Sequence, residues 1–274
     1  MTGYVPDATF LAAVEKLRVP GMGTEVVAPL LASLVRFHRP RRVLEVGMGY
    51  TTPFLAAALA GVAADVRAES VALAEKSRPY VTAGDQLDDR WLYGEPALLT
   101  PEFYLEPFEP RFVAVDNLSI ESSSAGQVLD VLAELGLADQ VTVVNADLHD
   151  CKDKLPPDLT PIDLAWVDAW ECLYFFDHFW DLVNPDGGLV VLHYLMTYPE
   201  GEAILDYFAR IQRTRPGELE MVNLLEPHKL TQNSLTVLRR TSGRKPRRYA
   251  ESGQGITYDD ALQANARRHV DNGS

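Results

Sequence analysis

The chain has 274 residues, 47% of them hydrophobic and 9% aromatic, and it carries a formal net charge of −14. That apolar content excludes a disordered chain and suits one large α/β domain or two small ones. The acidity disfavours a nucleic-acid partner, and two cysteines, Cys151 and Cys172, cannot build a disulfide framework.

No signal-peptide succession opens the sequence, and its longest apolar run, FLAAALAGVAA, is too short to span a bilayer. A soluble cytoplasmic protein with no membrane partner is therefore expected. In chain order, TFLAAVEKL (Thr9 to Leu17) and TEVVAPLLASLVRF (Thr24 to Phe37) space apolar residues at helical intervals behind a threonine N-cap, so residues 1–40 read as a helical cap. RRVLEVG is a short buried strand. A glycine turn follows, then YTTPFLAAALA, where the threonines can cap a helix and Pro53 falls in its first turn.

Strand signals recur at RFVAVDNL, VTVVNAD, IDLAWVDAW and GLVVLHYL, separated by the helical stretches SSAGQVLDVLAELGL and ECLYFFDHFWDLV. After the helix GEAILDYFARI come LEMVNLLE and NSLTVLRR. Only PHKLTQ joins these two, too little for a crossover helix, so they should pair antiparallel at one edge. The expected fold is α/β: a doubly wound Rossmann-like seven-stranded sheet, mostly parallel with an antiparallel last strand, over residues 41–240.

The 67 residues from Gly49 to Asp116 exceed the ~20 that usually separate a nucleotide-binding glycine turn from its ribose acid. An insertion at about 62–110 is implied. Glu69 has the better spacing, but Asp116 closes the β-rich run RFVAVD and is preferred. Within the insert, Asp85 to Pro110 mixes Trp91, Tyr93, Phe103, Tyr104 and Phe108 with carboxylates, which suggests an ordered lid or the contact of a homodimer. Residues 241–274 lose periodicity and read as a C-terminal tail, and the basic cluster Arg239 to Arg248 reads as solvated.

The turn itself runs Gly47, Met48, Gly49, Tyr50, Thr51, Thr52, without the third glycine of a nicotinamide fingerprint. Its glycines let backbone approach a ligand and leave helix N–H groups pointing outward. Glu45, at its entrance, suits the ammonium of an amino-acid cofactor better than a phosphate.

Taken in order, these motifs resemble the class I S-adenosylmethionine-dependent methyltransferases over most of Thr24 to Arg240. The resemblance implies that Glu45, Gly47, Met48, Gly49, Tyr50 and Thr51 line the methionine part of the cofactor. It gives Asp116 and Asn117 the ribose hydroxyls, Ala146 and Asp147 the adenine, and Asp168 a place beside the methyl donor. Pro185-Asp186-Gly187-Gly188 is similar to the family's turn before the fifth strand. The cofactor expected is thus S-adenosylmethionine.

For the acceptor, methyl transfer needs alignment of nucleophile, methyl carbon and sulfur before it needs acid–base chemistry. Histidine is the residue type whose ordinary pKa lies near the working pH, so His193 is the candidate base or orienting residue, with Asp168 beside it. IDLAWVDAWECLYFF with NPDGGLVVLHY is similar to catechol and caffeoyl-type O-methyltransferases, which hold a divalent metal with an acid after strand four and an Asp-Asn pair after strand five. Here His193-Tyr194 takes the pair's place, and no metal is expected. DAWECLYFFD is similar to the acidic loop of arginine methyltransferases, Asp168 and Asp177 keeping the nine-residue spacing of its two guanidinium-binding acids. With Glu171, Tyr194 and His228 as further substrate candidates, the expected acceptor is a small molecule with a cationic nitrogen, such as arginine. Two alternatives stand beside it: a metal-independent O-methyltransferase of a phenol or carboxylate, and a noncatalytic cofactor-binding partner subunit.

Overall fold

The computed structural model describes residues 6–120, 123–241 and 256–273. Its sheet has seven strands: β1 (Arg42–Val46), β2 (Arg111–Asp116), β3 (Thr142–Asn145), β4 (Leu164–Val167), β5 (Asp186–His193), β6 (Leu219–Leu225) and β7 (Ser234–Thr241). Their order is β3-β2-β1-β4-β5-β7-β6. The first five are parallel, while β7 runs antiparallel to both β5 and β6. The strand order therefore runs outward from β1 to β3 on one side and from β4 to β5 on the other, so the winding reverses between β1 and β4. That switch point is where open parallel sheets bind ligands.

The central strands are apolar throughout because both sheet faces are covered. Leu44, Val46, Val113, Val115, Ala165, Val167, Val190 and Leu192 alternate onto one face, where they pack with Phe175, Phe176 and Phe179 of α6 (Cys172–Phe179) and Phe208 of α7 (Gly201–Thr214). The intervening residues share the opposite face, and there the fully buried Glu45 pairs in register with Trp166. That face is served by α3 (Thr51–Ala83), whose Phe54 packs edge-on against Phe10 of α1 (Ala8–Val14) at 4.9 Å. The second expected N-terminal helix is α2 (Thr24–His38), and α5 (Ala125–Glu134) links β2 to β3.

The chain forms two compact units: Met1–Ala60 with Pro110–Arg244, and Gly61–Glu109 with Lys245–Ser274. In the second, α3 runs on as one continuous helix of 33 residues instead of ending after the alanine run, and Glu69 sits mid-helix where no ribose acid could end a strand. A short helix, α4 (Asp89–Tyr93), follows, capped by the Asp88 carboxylate. Where a structureless tail was expected, α8 (Asp260–Asn272) begins behind Asp259, which accepts from the Leu262 N–H. Of the expected basic cluster, Arg239 and Arg240 belong to β7, and Arg240 donates to the carbonyls of Trp180 and Val183; residues 242–248 lie outside the described residues. Among the described residues no helix is long and apolar enough to cross a membrane.

Candidate active site

At the carboxyl edge of the sheet each strand tip is tied to its neighbour. The Gly47 N–H donates to Val115 O, that of Asp168 to Val46 O, and that of Ala146 to Asp116 O, at 3.0, 3.0 and 3.1 Å. These bonds line up the ends of β1 to β4. Between them lies a cleft of about 140 Å³ whose walls include Gly47, Asp116, Asn117, Ala146, Asp147 and Glu171.

The two glycines of the turn serve different purposes. Gly47 has φ +89°, and a Cβ there would lie 2.9 Å from the Asp168 carbonyl oxygen, so both backbone conformation and close packing demand glycine. Gly49 has no such constraint: a Cβ would meet no atom within 4 Å. Its N–H donates to Thr52 Oγ1, and the Thr52 N–H returns to Gly49 O, which starts α3 with its leading N–H groups lacking intrahelical acceptors.

Asp116 faces this turn. One carboxylate oxygen accepts from the Met48 N–H at 2.8 Å and the other from the Ser123 hydroxyl at 2.9 Å. A carboxylate has about four lone-pair sites, so each oxygen keeps capacity for a ligand hydroxyl. Asn117 instead folds onto its own loop, accepting from the Ser119 N–H and hydroxyl. Asp147 is half exposed and accepts from the backbone N–H and ring nitrogen of His149. The backbone bond leads in holding its carboxyl below the usual range.

Glu45 and Thr51 require a correction. Both were expected to line the cofactor, yet their side chains lie buried behind the turn. The Thr51 hydroxyl donates to Glu45 at 2.7 Å and accepts from the Trp166 indole N–H at 3.1 Å. The other Glu45 oxygen has no partner, and burial pushes the acid up to about 8. The Tyr50 ring is half-buried against Phe54 at 5.4 Å.

The tips of β4 and β5 carry a second constellation. His193 Nδ1 lies 2.8 Å from Asp168 Oδ1, His193 is 1% exposed, and its Nε2 is buried without a partner. Asp168 and His193 meet because both extend the face that carries Trp166, whose ring centroid is 5.5 Å from the imidazole. Directly after His193, Tyr194 adopts φ 47°, a left-handed conformation uncommon for a tyrosine, and its N–H donates to Ser234 O. The Tyr194 ring packs against His193 at 4.9 Å and against the exposed Trp170 at 5.5 Å. Burial first, then nearby Asp168, raises the Tyr194 phenol.

Two substrate candidates are not part of this cluster. Asp177 is exposed on α6 and accepts from the Tyr207 hydroxyl, so the expected two-acid grip on a guanidinium does not form, Asp168 being bound to His193. His228 is exposed in the β6–β7 loop, 3.8 Å from Glu226. The sequence reading missed Trp166, Ser123 and Trp170. For Trp166 a signal existed: it stands two residues before Asp168 and so shares its sheet face.

No protein-family model matches the sequence, and no curated protein sequence does. Among solved structures, the chain is similar to the O-methyltransferase TomG from Streptomyces achromogenes, involved in tomaymycin synthesis and solved in complex with SAM. Identity is 19% over 86% of this chain and 91% of that one, with a TM-score of 0.56. It is also similar to cofactor-bound Rv0187 from MTB (17% identity, 84% and 87% coverage, TM-score 0.54) and to the O-methyltransferase from Bacillus cereus in complex with SAH (14%, 88% and 94%, 0.54). The chain shares their Rossmann-like methyltransferase fold.

Proposed function

We propose that the chain is an S-adenosylmethionine-dependent methyltransferase acting on a hydroxyl of a small molecule, a phenol above all, without a metal. The observation that carries this reading is the buried Asp168–His193 pair beside the glycine-turn cleft. The O-methyltransferases of the same fold support the oxygen acceptor over the nitrogen first expected, and the unassembled Asp168–Asp177 grip removes the main argument for a guanidinium.

The residues present fit the cofactor. Asp116 keeps lone pairs for a ribose diol, the open side of Gly49 leaves room for a ligand against backbone, and Asp147 stands on the cleft wall for the adenine amino group. S-adenosylmethionine, when bound, supplies a methyl group on a positively charged sulfur. The chain's own task is to deliver a nucleophile with a free lone pair. With Nδ1–H donated to Asp168, His193 presents Nε2 as the acceptor of a phenol proton, and Asp168 then stabilises the imidazolium. A carboxylate acceptor would need no such base. Nε2 is covered in this structure. Of the two rings beside it, Trp166 is fully buried and fixed, so Tyr194 is the side chain that yields to an acceptor, with Glu171 further along the wall.

Calorimetry with S-adenosylmethionine and its demethylated product tests the cofactor. Turnover on phenols, catechols and arginine, with and without chelator, tests the acceptor: phenol methylation that resists chelation is expected. Cofactor binding without any turnover would favour a noncatalytic partner subunit. Arginine methylation, or loss of activity on chelation, would sink this proposal.

A further inference from the structure

The sheet ends at β6, which pairs with β7 on one side and with no other strand among the described residues. The Thr241 N–H donates to Glu218 O and the Glu226 N–H to Asn233 O, just beyond the two ends of this ladder. Hydrogen-bonded pairs recur every two residues in an antiparallel ladder, so Glu220, Val222 and Leu224 turn their N–H and C=O groups to β7. Those of Leu219, Met221, Asn223 and Leu225 point outward, along a strand of seven residues whose register does not shift.

Natural sheets guard such an edge with lysine, proline, a bulge or a covering segment. Among the described residues β6 has none of these. It reads LEMVNLL, and its one charged residue, Glu220, accepts from Arg239 of β7 at 2.6 Å. Val222, Leu224 and Leu225 are 57, 43 and 52% exposed. Val222 and Leu224 stand on the sheet face opposite Met221, which packs on the core.

We infer that β6 is the contact between two copies of this chain, paired antiparallel about a twofold axis so that their sheets join into one. The open groups are backbone donors and acceptors in strand geometry, so the occupant they fit is a strand. The chain's own copy supplies one that matches. With the axis at Val222, Leu219 stands opposite Leu225, Met221 opposite Asn223 and Glu220 opposite Leu224, so the outward groups bond each other and no like charges meet. A chain of net charge −14 repels its copy over most of its surface, whereas this edge has its one carboxylate neutralised from within. This inference does not depend on the methyltransferase reading.

The test is light scattering on the full chain during size exclusion, with amide hydrogen exchange measured on the same samples. Twice the mass of the chain is expected for the unaltered protein. Val222→Lys alters a side chain that is already 57% exposed and sets two ammonium groups face to face at the axis, so it should leave the melting temperature unchanged and halve the mass. In that variant the amides of Met221 and Asn223 should exchange at least about tenfold faster, while those of Val222 and Leu224, bonded to β7, keep their rates. Val222→Cys gives an independent reading. Opposed residues of a non-hydrogen-bonded pair stand about 4.5 Å apart, within disulfide reach, so mild oxidation should link the two copies. Cys151 and Cys172 are both buried and do not compete. If Val222→Lys does not fold, the cross-link still decides. A single-chain mass for the unaltered protein, a double mass that survives Val222→Lys, or a Val222→Cys protein that does not cross-link would each overturn the contact. Slow exchange at Met221 and Asn223 in a single-chain species would overturn it too, by showing that the chain covers its own edge.

Discussion

Carboxylates stand at both ends of the sheet's binding edge, but they are held differently. At the tips of β2 and β3, Asp116 and Asp147 accept bonds from neighbouring backbone and hydroxyl donors and still face a cleft. At the tip of β4, Asp168 is committed to a fully buried imidazole. The first arrangement leaves acceptor capacity for a ligand's own donors. The second holds the imidazole of the proposed base by one ring nitrogen. On the proposed function, binding falls to the first set and proton transfer to the second, and that division can be tested by removing one function while measuring the other.

The largest effect is expected at the second set. His193→Ala should lower turnover by about 10²- to 10⁴-fold, the usual contribution of a positioned base, while leaving cofactor affinity within about threefold. Steady-state rates beside calorimetry separate the two. Unchanged turnover would assign the pair to packing alone. At the first set the pattern should invert: Asp116→Ala removes charge-assisted bonds of about 1.5–3 kcal/mol, so cofactor affinity should fall about 10- to 100-fold with turnover at saturation largely retained. If both variants damage the same parameter, the division fails.

The same contrast explains what was legible in the sequence. RRVLEVG and RFVAVD are short apolar runs ending at a glycine turn and an acid, and such runs separated by helical stretches were enough to expect a doubly wound, mostly parallel sheet and to prefer Asp116 over Glu69. The Asp168–His193 contact was not legible as a bond, because 25 residues and a helix separate its members and only sheet register brings them together. Asp177 failed for the opposite reason: its spacing in sequence looked right, but α6 turns it outward. The second unit was hidden further. In α8 the buried positions are Leu262, Ala266, His269 and Val270, a stripe too small and too polar to register as an apolar face, and α3 continues through charged residues after its alanines run out.

The glycine turn lets the comparison be made within three residues. Gly47→Ala meets a backbone oxygen and an unfavourable φ, so it should cost about 1–3 kcal/mol of stability in urea denaturation. Gly49→Val has open space around it, so stability should change by less than about 0.5 kcal/mol. Its side chain projects where the cofactor is proposed to lie, and cofactor affinity should suffer instead. A Gly49→Val protein that binds as before would move the ligand away from this turn.

Glu45 gives the finest test, because sequence and structure assign it different jobs. As the partner of a cofactor ammonium it would have to be ionised, and Glu45→Gln would then weaken binding as severely as Asp116→Ala. As a buried acid that titrates at about 8, against an ordinary value of 4.5, it holds its proton in the folded state over a range where the unfolded chain has released it. Between those pH values the folded state binds the extra proton, so its contribution to stability falls as pH rises, by at most about 1.4 kcal/mol per pH unit. Glu45→Gln keeps an acceptor for the Thr51 hydroxyl and abolishes the titration. Urea denaturation at pH 5, 6.5 and 8 should therefore show the unaltered protein losing stability relative to the variant at each step, while cofactor affinity stays within about threefold. Parallel stability curves with a collapse in affinity would return Glu45 to the front of the turn.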